Sequence, residues 1–257
     1  EPDRVIPFKS VPGGELTLRV FLPPAWKASD QRPAIVFFFG GGWVSGSPQQ
    51  FYPHCRHFAS LGMVAVSAEY RTQKSHGTDP FACIADGKSA VRWLRAHASG
   101  LGIRPDRLAA GGGSAGGHVA ASTALLEGLD EAGEDTGVSS VPNALVLFNP
   151  VIDTTENGYG AEKLGKRQLE ASPVHHVRKG LPPVLLFHGT ADTTVPFENV
   201  TRFRDQMKKH GNRVELVAYE GKAHGFFNYS RDKTVYQDTI RKAEEFLREL
   251  GFLPAGP

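Results

Sequence analysis

The sequence predicts an α/β fold, a mostly parallel central sheet with helices on both faces, and three observations predict it. Short β-branched or apolar runs alternate with amphipathic segments of helix length along most of the chain. Several of these runs, Ala34–Phe39 and Ala144–Phe148 among them, are continuously apolar, the pattern of strands covered on both sides. Glycine-rich turns follow some of them directly, so reactive residues are expected just beyond the carboxyl ends of strands.

Taken in order, strands are expected at Leu16–Leu22, Ala34–Phe39, Met63–Ala68, Arg107–Ala110, Ala144–Phe148, Val184–Phe187 and Val214–Tyr219. Asp79-Pro80 pairs an N-cap residue with proline at the first helical position. Phe81, Ile84, Val91 and Leu94 then share one stripe, and Gly100 can close the helix. A helix-like run covers His118–Leu126. Another begins near Pro196, carries Phe197, Val200, Phe203 and Met207 inward, and stops at Gly211. The last runs from about Thr234 to Leu250, with Val235, Ile240, Ala243, Phe246, Leu247 and Leu250 inward and Gly251 beyond it. Repeated strand–helix–strand units imply right-handed crossovers. With no internal repeat, low-complexity tract or linker, residues 1–257 read as one catalytic domain.

Composition excludes several functions. The chain has 257 residues, 40% of them hydrophobic, enough for a large core. Lys and Arg number 29 against 27 Asp and Glu, with no run of like charge, so a nucleic-acid partner is not expected. The longest apolar runs are strand-sized, too short for a bilayer, so no membrane partner is expected either. Cys55 and Cys83 lie in no metal or redox spacing; they suit either a pair in an exported protein or two buried free thiols. The opening Glu1-Pro2, without an initiator methionine, suits a trimmed chain or a mature one that has lost its leader. Secretion or a periplasmic location is expected ahead of the cytoplasm.

Gly112-Gly113-Ser114-Ala115-Gly116 is a G-x-S-x-G pentapeptide between the strand Arg107–Ala110 and the helix-like run His118–Leu126. A nucleophilic serine needs a tight strand-to-helix turn that lifts its hydroxyl out of the sheet, and glycines on either side prevent collisions there. A plain packing turn or a phosphate cradle at a helix N-terminus would also be glycine-rich, but no Lys-Ser/Thr pair follows as a P-loop requires. The hydroxyl needs a base, and His224, in a loop after Val214–Tyr219, is the candidate. Asp192, just after Val184–Phe187, can accept the second ring N–H of His224. Alone, His224 would be read as a surface turn residue and Asp192 as a helix cap. Together, the chain order Ser, Asp, His and the place of each residue after a strand point to a triad.

A fourth element, Phe39-Gly40-Gly41-Gly42-Trp43, follows Ala34–Phe39; its unshielded N–H groups can face a developing oxyanion. The Ala115 N–H, next after the nucleophile, should complete that hole.

With these stretches the chain resembles the small serine esterases of the α/β-hydrolase superfamily. It is most similar to the acetyl-xylan and feruloyl esterase branch and more distantly to the hormone-sensitive-lipase-like esterases. Phe38–Gly46, Ala85–Leu94, Ile103–Ala121, Leu181–Pro196 and Gly221–Phe226 carry the likeness. The resemblance implies the α/β-hydrolase fold and an oxyanion hole of Gly41, Gly42 and Ala115, with the Trp43 N–H as a substitute. Relatives usually open the glycine loop with a histidine that supports it through hydrogen bonds, where this chain has Phe39.

Other residues are weighed and set aside. His118 is expected to be a satisfied buried histidine. His54, Cys55 and His57 resemble a metal cluster only in spacing, and no metal or cofactor is expected. His175-His176 read as structural. Asp153 and Glu156 are reserve candidates for the triad acid. Trp43, Phe226 and Phe227 are candidates to line a substrate pocket, and Tyr70 suits pocket or core equally.

The expected function is hydrolysis of short acyl esters of carbohydrates or small alcohols, with a small-molecule or carbohydrate ester as partner. No large lid domain is expected, because no long insertion lies between Gly117 and Ala144; Val151–Pro173 could supply a small flap. Two rivals are a prolyl-oligopeptidase-like serine peptidase and a non-catalytic binding protein on a hydrolase scaffold.

Overall fold

The computed structural model describes residues 1–254. Eight strands, β1 (Arg4–Val11), β2 (Gly14–Phe21), β3 (Arg32–Phe38), β4 (Val64–Ala68), β5 (Ile103–Gly113), β6 (Ala144–Phe148), β7 (Val184–Gly189) and β8 (Val214–Tyr219), form one sheet. Their order is β1-β2-β4-β3-β5-β6-β7-β8. β2 runs antiparallel to β1 and β4, and every other pairing is parallel. The helices are α1 (Tyr52–Ser60), α2 (Gln73–His76), α3 (Pro80–Ala96), α4 (Ala115–Leu125), α5 (Ala161–Leu164), α6 (Phe197–Lys209) and α7 (Lys233–Glu249).

The period of two along each strand sorts its side chains into two cores. Val36 and Phe38 of β3, Leu145 and Leu147 of β6, and Val184 and Leu186 of β7 pack with α3, α4 and α6 on one face. Ile35 and Phe37, Val146 and Phe148, and Leu185 and Phe187 pack with α1 and α7 on the other. This double cover explains why the central strands are continuously apolar in sequence. It also settles the cysteines: Cys83 belongs to the first core and Cys55 to the second, and both are buried free thiols.

The architecture is the expected α/β-hydrolase fold, with local differences. β1 escapes the sequence pattern because it is an edge strand whose residues are mostly exposed or half-buried and include Arg4, Pro7 and Lys9. A register shift between Pro7 and Lys9 bends it. Lys9 then reaches the fully buried Asp86 of α3 at 2.7 Å, where Arg71 also binds at 2.8 Å, and both cations pair with Glu131. α1 is hidden by its polar content, His54, Arg56 and His57, although its buried side holds Cys55 and Phe58. β5 runs through Gly113, so the glycines expected in the turn lie in the strand and the turn is confined to Ser114. The Asp79-Pro80 and Pro196 signals act as expected at the starts of α3 and α6. Asp79 caps α3 by accepting from the Phe81 and Ala82 N–H groups.

Candidate active site

β5 ends at Gly113 and α4 begins at Ala115, leaving Ser114 to make the whole turn at φ 56°, ψ −122°. That conformation is strained for a residue with a side chain and persists because its surroundings hold it. The Ser114 N–H donates to Phe148 O at 3.0 Å, and Ser114 O accepts from Val151 N at 3.1 Å. The flanking glycines are required by close approach. A Cβ on Gly116 would lie 2.1 Å from Phe38 O, and one on Gly112 would lie 2.3 Å from Gly116 O.

β7 and β8 bring two further loops to the same sheet edge. The His224 Nε2 lies 2.9 Å from Ser114 Oγ, and its Nδ1 lies 2.7 Å from Asp192 Oδ2. Asp192 Oδ1 accepts from the N–H groups of Thr194 and Val195, both at 2.9 Å. Burial alone would raise the Asp192 carboxyl, but hydrogen bonds from His188, His224 and the Val195 N–H outweigh it. They hold the group well below the usual carboxylate range. An ionised carboxylate can only accept, so Nδ1 of a neutral His224 carries the proton and Nε2 offers its lone pair to the serine.

The glycine loop after β3 closes a turn in which Val44 N–H donates to Gly41 O at 3.0 Å. Among the described residues, the N–H groups of Gly41, Gly42 and Ala115 make no hydrogen bond within the chain. Gly42 has φ +63°, and a Cβ there would lie 2.7 Å from the Tyr159 hydroxyl oxygen. The Phe39 ring stacks on Tyr70 at 4.2 Å, while the Tyr70 hydroxyl donates to Phe39 O at 2.6 Å. The Gly40 N–H donates to Gln50 Oε1 at 2.7 Å. The hydrogen bonds that support the loop therefore come from Tyr70 and Gln50, and the side chain at position 39 contributes ring stacking alone.

These elements border an open cleft of about 340 Å³. Of the aromatic residues expected to line it, only Phe227 touches it, and that ring is 1% exposed in the second core. Phe226 turns away onto Tyr219, 4.9 Å between ring centres. Trp43 is 1% exposed and borders instead an adjoining pocket of about 310 Å³ on the far side of Gly42, beside Val44, Pro80 and Lys163. The correction has one cause: an aromatic side chain beside a reactive loop is also what fills the core beneath that loop. The residues that do line the cleft are polar: Gln50, Asn149, Tyr159, Thr194, Asn228 and Arg231. Asn149 carried a legible signal, since it follows β6 directly, where chemistry gathers; it has φ 32°, and its Oδ1 accepts the Gly225 N–H at 2.9 Å. The other five, Gln50 on a short 3₁₀ turn and the rest on loops, have no spacing or periodicity to mark them.

His188 backs Asp192 from the core, and four other histidines weighed in the sequence stand apart from the cleft. His118 is buried and fully bonded, to Trp43 Nε1 at 3.2 Å and Ala171 O at 2.7 Å, and burial lowers its pKa to about 4. His54 is buried among Phe37, Phe51, Phe148, Phe227 and Tyr236 with neither ring nitrogen bonded, and burial pushes its pKa down to about 3. His57 pairs with Glu244 at 2.5 Å, and Nδ1 of His175 meets Ser172 Oγ at 2.8 Å. Asp153, the reserve acid, is engaged by Arg202, Thr155 and Ser172.

Comparison with known proteins places the chain among esterases. The BD-FAE family matches residues 18–156, and the dienelactone hydrolase family matches residues 145–253. The chain is 32% identical to a probable carboxylic ester hydrolase, LipM, of Mycobacterium tuberculosis, over 78% of this chain and 51% of that protein. It is 28% identical to esterase LipC of the same organism, over 78% and 56%. It thus spans about half the length of these curated relatives. Among solved structures, the apo form of Thermogutta terrifontis esterase 2 superposes with a TM-score of 0.95 at 50% identity, covering 98% of this chain and 96% of that one. The same esterase has been solved with propionate, with butyrate and phosphorylated by paraoxon. The family matched over more than half of the chain, with the fold and the esterase relatives, establishes that this chain belongs to the BD-FAE family of α/β-hydrolase serine esterases.

Proposed function

We propose that the protein hydrolyses carboxylic esters of short acyl chains, with Ser114 as nucleophile, His224 as general base and acid, and Asp192 as the group that orients and stabilises the imidazolium. His224 carries this reading: one imidazole bridges a strained serine hydroxyl, 2.9 Å away, and a buried carboxylate, 2.7 Å away.

Ser114 Oγ attacks the ester carbonyl as its proton passes to His224 Nε2. The negative charge on the tetrahedral oxygen falls against the free N–H groups of Gly41, Gly42 and Ala115. Positive charge on the ring is met by the ionised Asp192. Collapse expels the alcohol, which takes its proton from Nε2. Water then attacks the acyl-serine by the same route, using the same base and the same donors.

A short acyl group suits the cleft, which is about 340 Å³ and open to solvent. Propionate and butyrate in the Thermogutta esterase support that assignment. The polar lining of Thr194, Tyr159 and Arg231 suits a hydroxylated alcohol, acetylated carbohydrate among them. The test is a panel of p-nitrophenyl esters from acetate to octanoate beside acetylated xylan, a feruloyl ester and a peptide p-nitroanilide, each run with the Ser114→Ala variant. Serine-dependent turnover that peaks at acetate to butyrate is expected. Turnover unchanged in Ser114→Ala would sink the mechanism; preference for octanoate would sink the acyl assignment; cleavage of the anilide alone would make the protein a peptidase.

A further inference from the structure

We infer that Gln50 and Asn228 are positioning residues that lock the oxyanion loop to the loop of the catalytic base, an inference that rests on the reading of Ser114 and His224 above. A continuous relay of amides joins the two loops. The Gly40 N–H donates to Gln50 Oε1 at 2.7 Å, Gln50 Nε2 donates to Asn228 Oδ1 at 2.9 Å, and Asn228 Nδ2 donates to Gly225 O at 2.8 Å. The next link runs from the Gly225 N–H to Asn149 Oδ1 at 2.9 Å, and Asn149 follows β6.

Both ends fix the direction of the relay. A backbone N–H at Gly40 can only donate, so Gln50 must present oxygen there and its nitrogen to Asn228. A carbonyl at Gly225 can only accept, so Asn228 must present nitrogen there and its oxygen to Gln50. Each primary amide is thus used once as donor and once as acceptor in a single sense, and neither can flip without breaking two bonds at once.

The relay begins and ends one residue from the chemistry. Gly40 precedes Gly41 and Gly42 and packs on the nucleophile, since a Cβ there would lie 3.3 Å from Ser114 Cβ. Gly225 follows His224. The support beneath Gln50 is rigid. It lies in the 3₁₀ turn Pro48–Phe51, whose Phe51 is fully buried and whose Pro48 O accepts the Ser67 hydroxyl at 2.8 Å. Asn228 closes the turn that begins at Gly225 and is anchored by the buried Phe226 and Phe227. Because Phe39 has no polar group to brace the glycine loop, the relay supplies the brace. It also fixes the spacing between oxyanion donors and base, which a brace within the loop alone would not do.

The experiment measures kcat and KM on p-nitrophenyl acetate for the wild type and for Gln50→Ala, Asn228→Ala, the double variant and the near-isosteric Gln50→Glu. Sites are counted by the p-nitrophenol burst from paraoxon, so that only folded, reactive protein is scored, and Tm is followed in parallel. Each alanine variant should lose about 10- to 100-fold in kcat per titrated site with KM within about threefold, the signature of misplaced donors rather than lost binding. The double variant should fall no further than about threefold below the worse single one, because the two residues act as a unit. Gln50→Glu still accepts from Gly40 but cannot donate to Asn228, and should match Asn228→Ala; it also keeps the test open if Gln50→Ala fails to fold. Wild-type kcat in Gln50→Glu, or losses that multiply in the double variant, would overturn the relay while leaving the esterase reading intact. A wild type that neither turns over the ester nor gives a burst would instead overturn that reading.

Discussion

The indole N–H of Trp43 donates to Nδ1 of His118 at 3.2 Å, and the other ring nitrogen of His118 donates to Ala171 O at 2.7 Å. One neutral imidazole thereby ties the end of the glycine loop to α4, the helix that Ser114 caps, and to the segment beyond β6. Trp43 adopts φ 61°, a conformation that this contact helps to hold. Replacing Trp43 by Phe leaves a buried Nδ1 without a donor, which should cost about 1–3 kcal/mol. Urea unfolding of Trp43→Phe, His118→Leu and the pair should give a coupling of about 1 kcal/mol; strict additivity would show that the contact contributes nothing.

Asp192 is expected to matter for turnover far more than for folding. In Asp192→Asn the side-chain oxygen still accepts from Thr194 and Val195, so the loop should persist. The carboxylate that fixes the His224 proton on Nδ1 is gone, and kcat should fall by about 10³- to 10⁴-fold. Steady-state kinetics with a thermal scan on the same sample checks both halves. A loss under about tenfold would show that another acid serves His224.

Gly116 tolerates no side chain. A Cβ there meets two backbone oxygens, Phe38 O at 2.1 Å and Phe39 O at 2.3 Å, so β3 itself would have to move. Gly116→Ala should therefore cost about 3 kcal/mol or more. Gly128 has φ +67° but open space around it, and Gly128→Ala should cost only the conformational strain, about 1–2 kcal/mol. Equal losses in denaturant titrations of the two variants would refute the steric account.

The protein should lose stability on acidification from well above the carboxylate range. His54 and His118 are held neutral by burial, with pKa values near 3 and 4 against 6.5 for an exposed histidine. Above pH 6.5 each ring is neutral whether folded or not, and contributes its full share. As pH falls, the unfolded chain binds protons that the folded one cannot, and each histidine removes about 1.4 kcal/mol per pH unit. That loss ends only near pH 4 for His118 and near pH 3 for His54. His54→Leu, a near-isosteric change at a ring with no bonded nitrogen, should flatten the slope of unfolding free energy between pH 6 and 4 by about one proton. Parallel slopes for variant and wild type would show that His54 is protonated in the fold.

What was legible in the sequence followed from strong local constraints. Ala144–Phe148 occurs with the expected bounds, because a doubly covered strand must be apolar throughout and turn residues must end it. Val214–Tyr219, the edge strand β8, does so through Val214, Leu216 and Val217, although Glu215 is exposed. Ser114, Asp192 and His224 were legible because each sits directly beyond a strand in a fixed chain order. β1 was not, since none of its residues is fully buried and Arg4, Pro7 and Lys9 interrupt its apolar pattern. Gln50 and Asn228 were not, because they meet across 178 positions and an amide side chain announces no partner. Trp43 and Phe226 were misplaced because residue type records a preference for burial but not which side of a loop is buried. Phe227 touches the cleft only from within the core.

The bulge in β1 also bears on how copies of this chain behave when crowded. A parallel sheet built of apolar strands is a template for further strands wherever an edge is flat and unguarded. Here that edge is occupied by a strand with a donorless proline, a register break, and a lysine drawn inward to Asp86. A segment remote from the chemistry thereby guards one of the sheet's two edges, β8 forming the other. A Pro7→Val change that left turnover untouched would be expected to show its effect as turbidity on heating.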